Sequence, residues 1–200
     1  MMAIDERVDA LIDFDGTLIK KHIVNDFFKI AIKYQKDKKK VKEFHKNKKI
    51  YLLKEIFGKD SGKELIKMLS VSEGLPYSIF KENIKEVRLN NLSKIERCLG
   101  KNEKFLGILS RNDSYIIGDI LESYSLNKQL YDYYHIRISN KIIANHFKQK
   151  NNVFTGEVDL IVNNKMEHLK KYPDLLFFGD WGDWPSCRGY KNFKNVRWLF

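Results

Sequence analysis

The strongest constraint on how this chain can fold lies in residues 8–18, VDALIDFDGTL. Val8 and the apolar run Ala10 to Ile12 lead directly into two acids, Asp13 and Asp15, then Gly16 and Thr17. A short apolar run bounded by a turn signal reads as a buried strand of a parallel sheet. In open α/β sheets ligands bind beyond the carboxyl ends of the strands, which is where these aspartates fall. Two carboxylates crowded there repel unless a cation or a shared proton compensates. Gly16 permits a sharp turn, and Thr17 can tie down backbone groups within it. Taken alone, the stretch also reads as an acidic turn after a strand, so the rest of the chain decides.

After Leu18 the pattern becomes helical. Residues 22–57 are lysine-rich, with Ile23, Phe27, Ile30, Ala31 and Tyr34, then Val41, Phe44, Tyr51, Leu52 and Ile56, at helical spacing. They predict amphipathic helices broken near 36–40, the second closed by Gly58. A third helix is expected over 61–70, with Ser61 as N-cap and Glu64 three residues on. After the break at residues 73–76, helical periodicity runs through 77–100 to Gly100. Residues 19–102 therefore read as a helical insertion. The run Gly58 to Lys63 is no phosphate-binding P-loop, because it is one residue short, has Glu64 in place of Ser or Thr, and follows no strand. An Asp-x-Asp-Gly start could open a calcium loop, but Gly16 comes two places early and Val24 stands where the closing Glu belongs.

From Lys104 the pattern alternates between strands and helices. Residues 105–109 form a second buried strand stopping at Ser110, and Asp113 or Ser114 caps the helix that follows. A third strand is expected over 134–138, a hairpin over 142–148 and 153–159, a short helix over 163–171, a fourth core strand over 175–178 and a last strand over 196–200. The fold class is thus α/β, a three-layer Rossmann-like core with a mainly parallel sheet and an inserted all-helical unit.

Bulk properties narrow the function. Two hundred residues, 43% of them apolar and 32% charged, exclude a disordered chain and fit one core with a modest insertion. Thirty-seven basic residues against 26 acidic ones give a net charge of +11. Such a charge can steer anionic substrates or nucleic acid, or reflect a lysine-rich solvated exterior. Cys98 and Cys187 show no pairing pattern, residues 1–7 read as no h-region, and no apolar run reaches membrane-spanning length. A soluble cytoplasmic protein without a membrane partner is expected.

Three strands end in polar loops, at Asp13/Asp15, Ser110/Arg111 and Asp180/Asp183, and Lys165 opens the helix before the last of them. Each has an ordinary reading: a capping serine, a surface lysine, an acidic turn. Together and in this order they resemble the four motifs of the haloacid dehalogenase-like superfamily. The helical insertion after the first motif, and Thr155-Gly156 upstream of the lysine, resemble its phosphoserine-phosphatase-like branch. The resemblance implies a core of 1–18 plus 103–200 and a helical cap of 19–102. It implies a phosphatase of a small phosphorylated metabolite, with Asp13 as nucleophile, Asp15 as general acid and base, and Lys165 offsetting developing charge. Mg²⁺ would lie among Asp13, Asp15 (through its backbone carbonyl), Asp180 and Asp183, and the substrate against Gly16, Ser110 and Arg111. A phosphotransferase, or a basic nucleic-acid-binding relative without turnover, are the alternatives.

Two departures stand out. The fourth motif has two residues, Trp181 and Gly182, between its aspartates, where three or four are usual. Asp183 is therefore an indirect metal-site residue or a loop anchor, and a tryptophan beside the metal would narrow the pocket. Arg111 either reaches a second anionic group of the substrate or pairs with an acid. The five histidines show no metal-ligand spacing and read as structural or surface groups.

Overall fold

The computed structural model describes residues 7–57, 59–100 and 102–196. Its centre is a six-stranded sheet of β1 (Ala10–Ile12), β2 (Lys104–Asp113), β3 (Ile136–Lys150), β4 (Val153–Asp159), β5 (Leu176–Gly179) and β6 (Phe193–Asn195), ordered β4-β3-β2-β1-β5-β6. All neighbouring strands are parallel except β3 and β4. Register explains why distant motifs meet: Ile12 pairs with Ile108 on one side and with Phe178 on the other. Asp13, Ser110 and Asp180, one or two residues further along, therefore emerge side by side at one sheet edge, on strands separated by about 4.8 Å.

Alternation along the strands makes the layers. Ala10, Ile12, Leu106, Ile108 and Phe178 enter a core beneath α6 (Ser114–Ser123), α7 (Leu126–Tyr134) and the insertion. Leu11, Leu109 and Phe177 face the opposite way, onto a smaller core that includes Leu169 of α8 (Lys165–Leu169) and Cys187 of α9 (Trp184–Cys187). This is the three-layer arrangement the sequence pattern predicts.

Between β1 and β2 lie α1 (Ile23–Tyr34), α2 (Lys38–Ile56), α3 (Gly62–Leu69), a 3₁₀ turn at 70–72, α4 (Tyr77–Asn83) and α5 (Ser93–Leu99). The break between α1 and α2 falls where the lysine run begins. The insertion is tied down at two places. Its ends pair with each other, Lys20 N–H donating to Arg88 C=O at 3.0 Å and Asn90 N–H to Leu18 C=O at 3.0 Å. Its middle meets the β3–β4 hairpin: Gly74 N–H donates to Phe154 C=O at 2.9 Å, and Phe27 stacks on Phe80 with ring centres 4.5 Å apart while also touching Phe147 and Phe154.

Four expectations change. The helical periodicity of 77–100 resolves into α4 and α5 with an irregular stretch between, from the C-cap Ile84 through Val87 to the N-cap Leu92, all three buried. The separate third strand and the first arm of the hairpin are one long strand, β3, with register shifts against β2. Residues 126–134 form a helix the sequence reading left out. The α3 capping box does not form, because Ser61 Oγ donates to Glu55 and Glu64 pairs with Lys54 at 2.7 Å. Gly58 and the greater part of the expected last strand, 197–200, lie outside the described residues.

Asp113 ties three elements together. Its Oδ1 accepts from Tyr115 and Ile116 N–H at 2.6 and 3.0 Å, capping α6, and its Oδ2 accepts from Phe147 N–H of β3 at 2.6 Å. Asp113→Ala leaves three backbone donors without this acceptor around a fully buried side chain. A loss of about 3 kcal/mol in denaturant unfolding is expected.

Candidate active site at the carboxyl edge of the sheet

Asp13 leaves β1 fully ringed by protein, its backbone N–H donating to Phe178 C=O at 2.9 Å. Its Oδ1 lies 2.6 Å from Lys165 Nζ, and the same ammonium lies 2.6 Å from Asp183 Oδ1. Asn164 caps α8, its side chain accepting from Met166 N–H at 2.9 Å, which sets Lys165 at the start of the helix. Burial alone would lower the Lys165 pKa, but Asp13 and Asp183 outweigh it and hold the ammonium above the ordinary lysine range. Burial pushes the Asp13 carboxyl well up, against the pull of Lys165.

Asp15 is held quite differently. The turn through Gly16, at φ +75°, carries it beneath the first turn of α1. Its Oδ1 accepts from Ile23 N–H at 2.9 Å and its Oδ2 from Val24 N–H at 3.3 Å, two of the donors a helix leaves unpaired at its start. Asn112 Nδ2 donates to the same Oδ2 at 3.2 Å. Burial pushes the Asp15 carboxyl up to about 6, with the helix amides opposing it. That is a suitable value for a group that gives and takes protons near neutral pH.

Asp180 follows β5 and folds back on itself, Oδ1 accepting from Gly182 N–H at 2.7 Å. A carboxylate oxygen from each of Asp13, Asp180 and Asp183 falls within one 4.8 Å cluster. Of these three buried carboxylates two hold the one ammonium, and Asp183 Oδ2 is buried without a hydrogen-bond partner. Oxygen donors short of positive charge and carrying an unused lone pair fit a hard divalent cation such as Mg²⁺.

The remaining expected residues take these places. Ser110 is buried at the cavity wall, its Oγ accepting from Asn112 N–H at 3.2 Å. Arg111 lines the cavity too, paired with Glu55 of α2. Gly16 does not reach the cavity wall: its N–H donates to Lys21 C=O at 3.0 Å. Its lack of a side chain matters nonetheless, because a Cβ there would sit 2.5 Å from His22 Cε1 and 2.7 Å from Asp180 Oδ2. Thr17 does not clamp the turn. Its Oγ1 has no partner, and the carbonyls of Gly16 and Thr17 are taken at 2.9 Å by Asn90 Nδ2 instead. The tryptophans do not narrow the site: Trp181 is 45% exposed, the Trp184 ring lies tilted against Phe193 with centres 6.0 Å apart, and Gly182 is the loop residue at the cavity. Asp183 is both the anchor of Lys165 and a member of the acid cluster.

The edge residues open into a cavity of about 580 Å³ between the sheet and the insertion. Neither a protein-family sequence model nor a curated protein sequence matches the chain. Solved structures do. A phospho-aspartyl intermediate analogue of phosphoserine phosphatase superposes over 90% of this chain and 82% of its own, at 20% identity and TM-score 0.53. A substrate-bound phosphoserine phosphatase covers 91% and 82%, at 17% identity and TM-score 0.58. A HAD family hydrolase from Salmonella enterica covers 90% of this chain and 60% of its own, at 16% identity and TM-score 0.53. The fold is haloacid dehalogenase-like. Its form is the phosphoserine-phosphatase-like one, with a helical insertion between the first two core strands.

Sequence reading missed Asn112, Asn90, Glu55 and His22. Asn112 carried a signal, since it follows Ser110 and Arg111 at a strand end. The others sit in the insertion or at its entry, and only tertiary contacts bring them to the site.

The acid cluster predicts a measurable metal response. Mg²⁺ at a hundred times its dissociation constant should stabilise the protein by about 2.7 kcal/mol, read as a rise in Tm. Asp180→Ala should abolish that rise while the metal-free protein still unfolds cooperatively.

Proposed function

We propose that the protein is a Mg²⁺-dependent phosphomonoester hydrolase acting on a small phosphorylated metabolite through an aspartyl-phosphate on Asp13. The observation that carries this reading is the pairing of two buried carboxylates, two residues apart, in different settings. Asp13 shares an ammonium inside an acid cluster, whereas Asp15 is held by helix amides and stands apart from that ammonium's contacts. One is placed to attack and the other to move protons. One of the similar structures is a phospho-aspartyl intermediate analogue, which supports an aspartyl-phosphate in this reading.

In this reading the Asp13 carboxylate attacks phosphorus and the bond to the leaving oxygen breaks, that oxygen taking the proton from Asp15. Asp15 then removes a proton from the water that attacks the aspartyl-phosphate, releasing inorganic phosphate and restoring Asp13. Lys165 stays beside Asp13 throughout and offsets charge on the phosphoryl oxygens, while the Ser110 hydroxyl donates to one of them. Asp13, Asp180 and the Asp15 backbone carbonyl would hold Mg²⁺, with Asp183 at the edge of the set. When bound, the cation would supply the charge that lets an anionic carboxylate approach an anionic phosphate.

Residues 1–18 and 103–200 serve as the catalytic core, and 19–102 as a cap that encloses the substrate and excludes bulk water. The fixed contact between Phe27 and the β3–β4 hairpin favours a cap that admits substrate by local movement of α2 and α3 rather than by swinging as a whole. A reducing cytoplasm suits the two free cysteines.

Hydrolysis of p-nitrophenyl phosphate with Mg²⁺ tests the reading. Asp13→Asn should fall to background and chelation of the metal should stop turnover. With an alkyl phosphate, whose leaving group needs a proton, Asp15→Asn should lose about 10²–10⁴-fold in kcat. Equal rates for wild type and Asp13→Asn would overturn the mechanism. Inorganic phosphate released in step with the alcohol, whatever acceptor is added, separates hydrolysis from phosphotransfer.

A further inference from the structure

The cavity is far larger than a phosphoryl group needs, and its two ends differ in chemistry. The inner end carries the groups described above. Outward from Asp15 one strip of the wall is apolar, beside polar positions such as Asn25 and Tyr51: Val24, Phe28 and Ile32 line up along α1, facing Phe44 of α2 and Leu65 and Met68 of α3. Residues 24, 28 and 32 follow the i, i+4, i+8 row of one helix face, so the strip runs about 12 Å away from the amides that hold Asp15. Phe28, Phe44, Leu65 and Met68 are each less than a tenth exposed, and Leu52 stands half exposed at the mouth.

Part of the charge along this wall is already spent. Arg111 is paired with Glu55, which also accepts from Ser61 Oγ. Lys29 and Lys48 lie exposed at the rim, Lys29 3.3 Å from Asp26 and Lys48 5.9 Å from the centre of the Phe44 ring. A leaving group bearing its own ammonium and carboxylate would be stripped of water along the buried strip, where Lys48 meets it only from the exposed rim, at a cost of several kcal/mol per ion. An apolar group gains from the same surface.

From this geometry we infer that the substrate is a phosphate monoester of an apolar alcohol, its chain lying along the Val24–Phe28–Ile32 strip. The inference rests on the phosphomonoesterase reading and gives it a substrate class. The reaction is balanced with water alone: the ester and one water give the apolar alcohol and inorganic phosphate, with the phosphorus–oxygen bond to the alcohol breaking and its oxygen taking the Asp15 proton.

Two measurements on the unmodified protein with Mg²⁺ test it: kcat/KM across n-alkyl phosphates from ethyl to decyl, kept below micelle formation, with O-phosphoserine and p-nitrophenyl phosphate alongside, and calorimetric affinity for the matching alkylphosphonates, which are not cleaved. Each added methylene should raise kcat/KM and phosphonate affinity about three- to fourfold, until the chain outruns the apolar strip. O-phosphoserine should be turned over no faster than ethyl phosphate. Cleavage of p-nitrophenyl phosphate with no dependence on chain length, or O-phosphoserine outpacing decyl phosphate, overturns this inference and leaves the phosphatase reading standing. Affinity that climbs with chain length while no ester is cleaved upholds the apolar site and overturns the phosphatase reading.

Discussion

The Lys165 ammonium, lodged between Asp13 and Asp183, is the interaction on which the rest of the site depends. Its relative exposure is 4%, and a charge so far from water is tolerated only with partners at hydrogen-bond distance. The two acids belong to segments 170 residues apart in sequence, one leaving β1 and the other entering α9. Binding both fixes the β1–β5 register from the outside, since a slip of one residue would leave a charge buried without its partner. The glycine at the end of β5 follows from this. A Cβ at Gly179 would stand 2.5 Å from Asp183 Oδ2, so the carboxylate can lean over the strand only because no side chain is there.

A second constraint couples the acid chemistry to the insertion. Asp15 belongs to the turn after β1, yet its direct partners are the first amides of α1 and the side chain of Asn112. The helix therefore cannot shift along its axis without disturbing the carboxylate. Asn90, at the return from the insertion, binds the carbonyls of Gly16 and Thr17 and holds the same turn from the other side. Entry and exit of the insertion are thus built into the acidic turn. The aromatic contact of Phe27 with Phe80, Phe147 and Phe154 fixes α1 one turn further on. The acid sits at one end of a helix that is packed firmly along its length.

How much of this was legible follows from the range of the forces involved. Asp13, Asp15, Ser110, Lys165, Asp180 and Asp183 were readable because each marks the end of a short apolar run or the start of a helix, features a window of ten residues contains. The break between α1 and α2 was readable for the same reason. The stretch 84–92 was not, because its apolar spacing imitates a helix while its burial comes from tertiary packing. Nor was the continuity of β3, since the polar residues at 139–141 look like a turn, whereas they are an irregularity in the register with β2, between the pairs Leu106–Ile138 and Ile108–Ile142. The choice between Arg111 as anion binder and as ion-pair partner turned on Glu55, 56 positions away, which no local pattern announces.

The shortened loop between Asp180 and Asp183 shows how a departure from a motif can be absorbed. With two residues between the acids, Asp183 N–H still reaches Asp180 C=O at 3.2 Å, and Asp183 C=O begins α9 by accepting from Cys187 N–H at 2.9 Å. That short helix packs Cys187 into the smaller core, so the loop is anchored by burial as well as by charge. Shortening the loop turns Trp181 outward and leaves Gly182 at the cavity. The space that a longer, bulkier loop would occupy is kept open above the acids, and the wall that completes it is supplied by α1, α2 and α3. Whatever the site selects by shape is therefore set by the insertion, while the acid cluster and the ammonium beside it are built from residues whose positions the central strands fix.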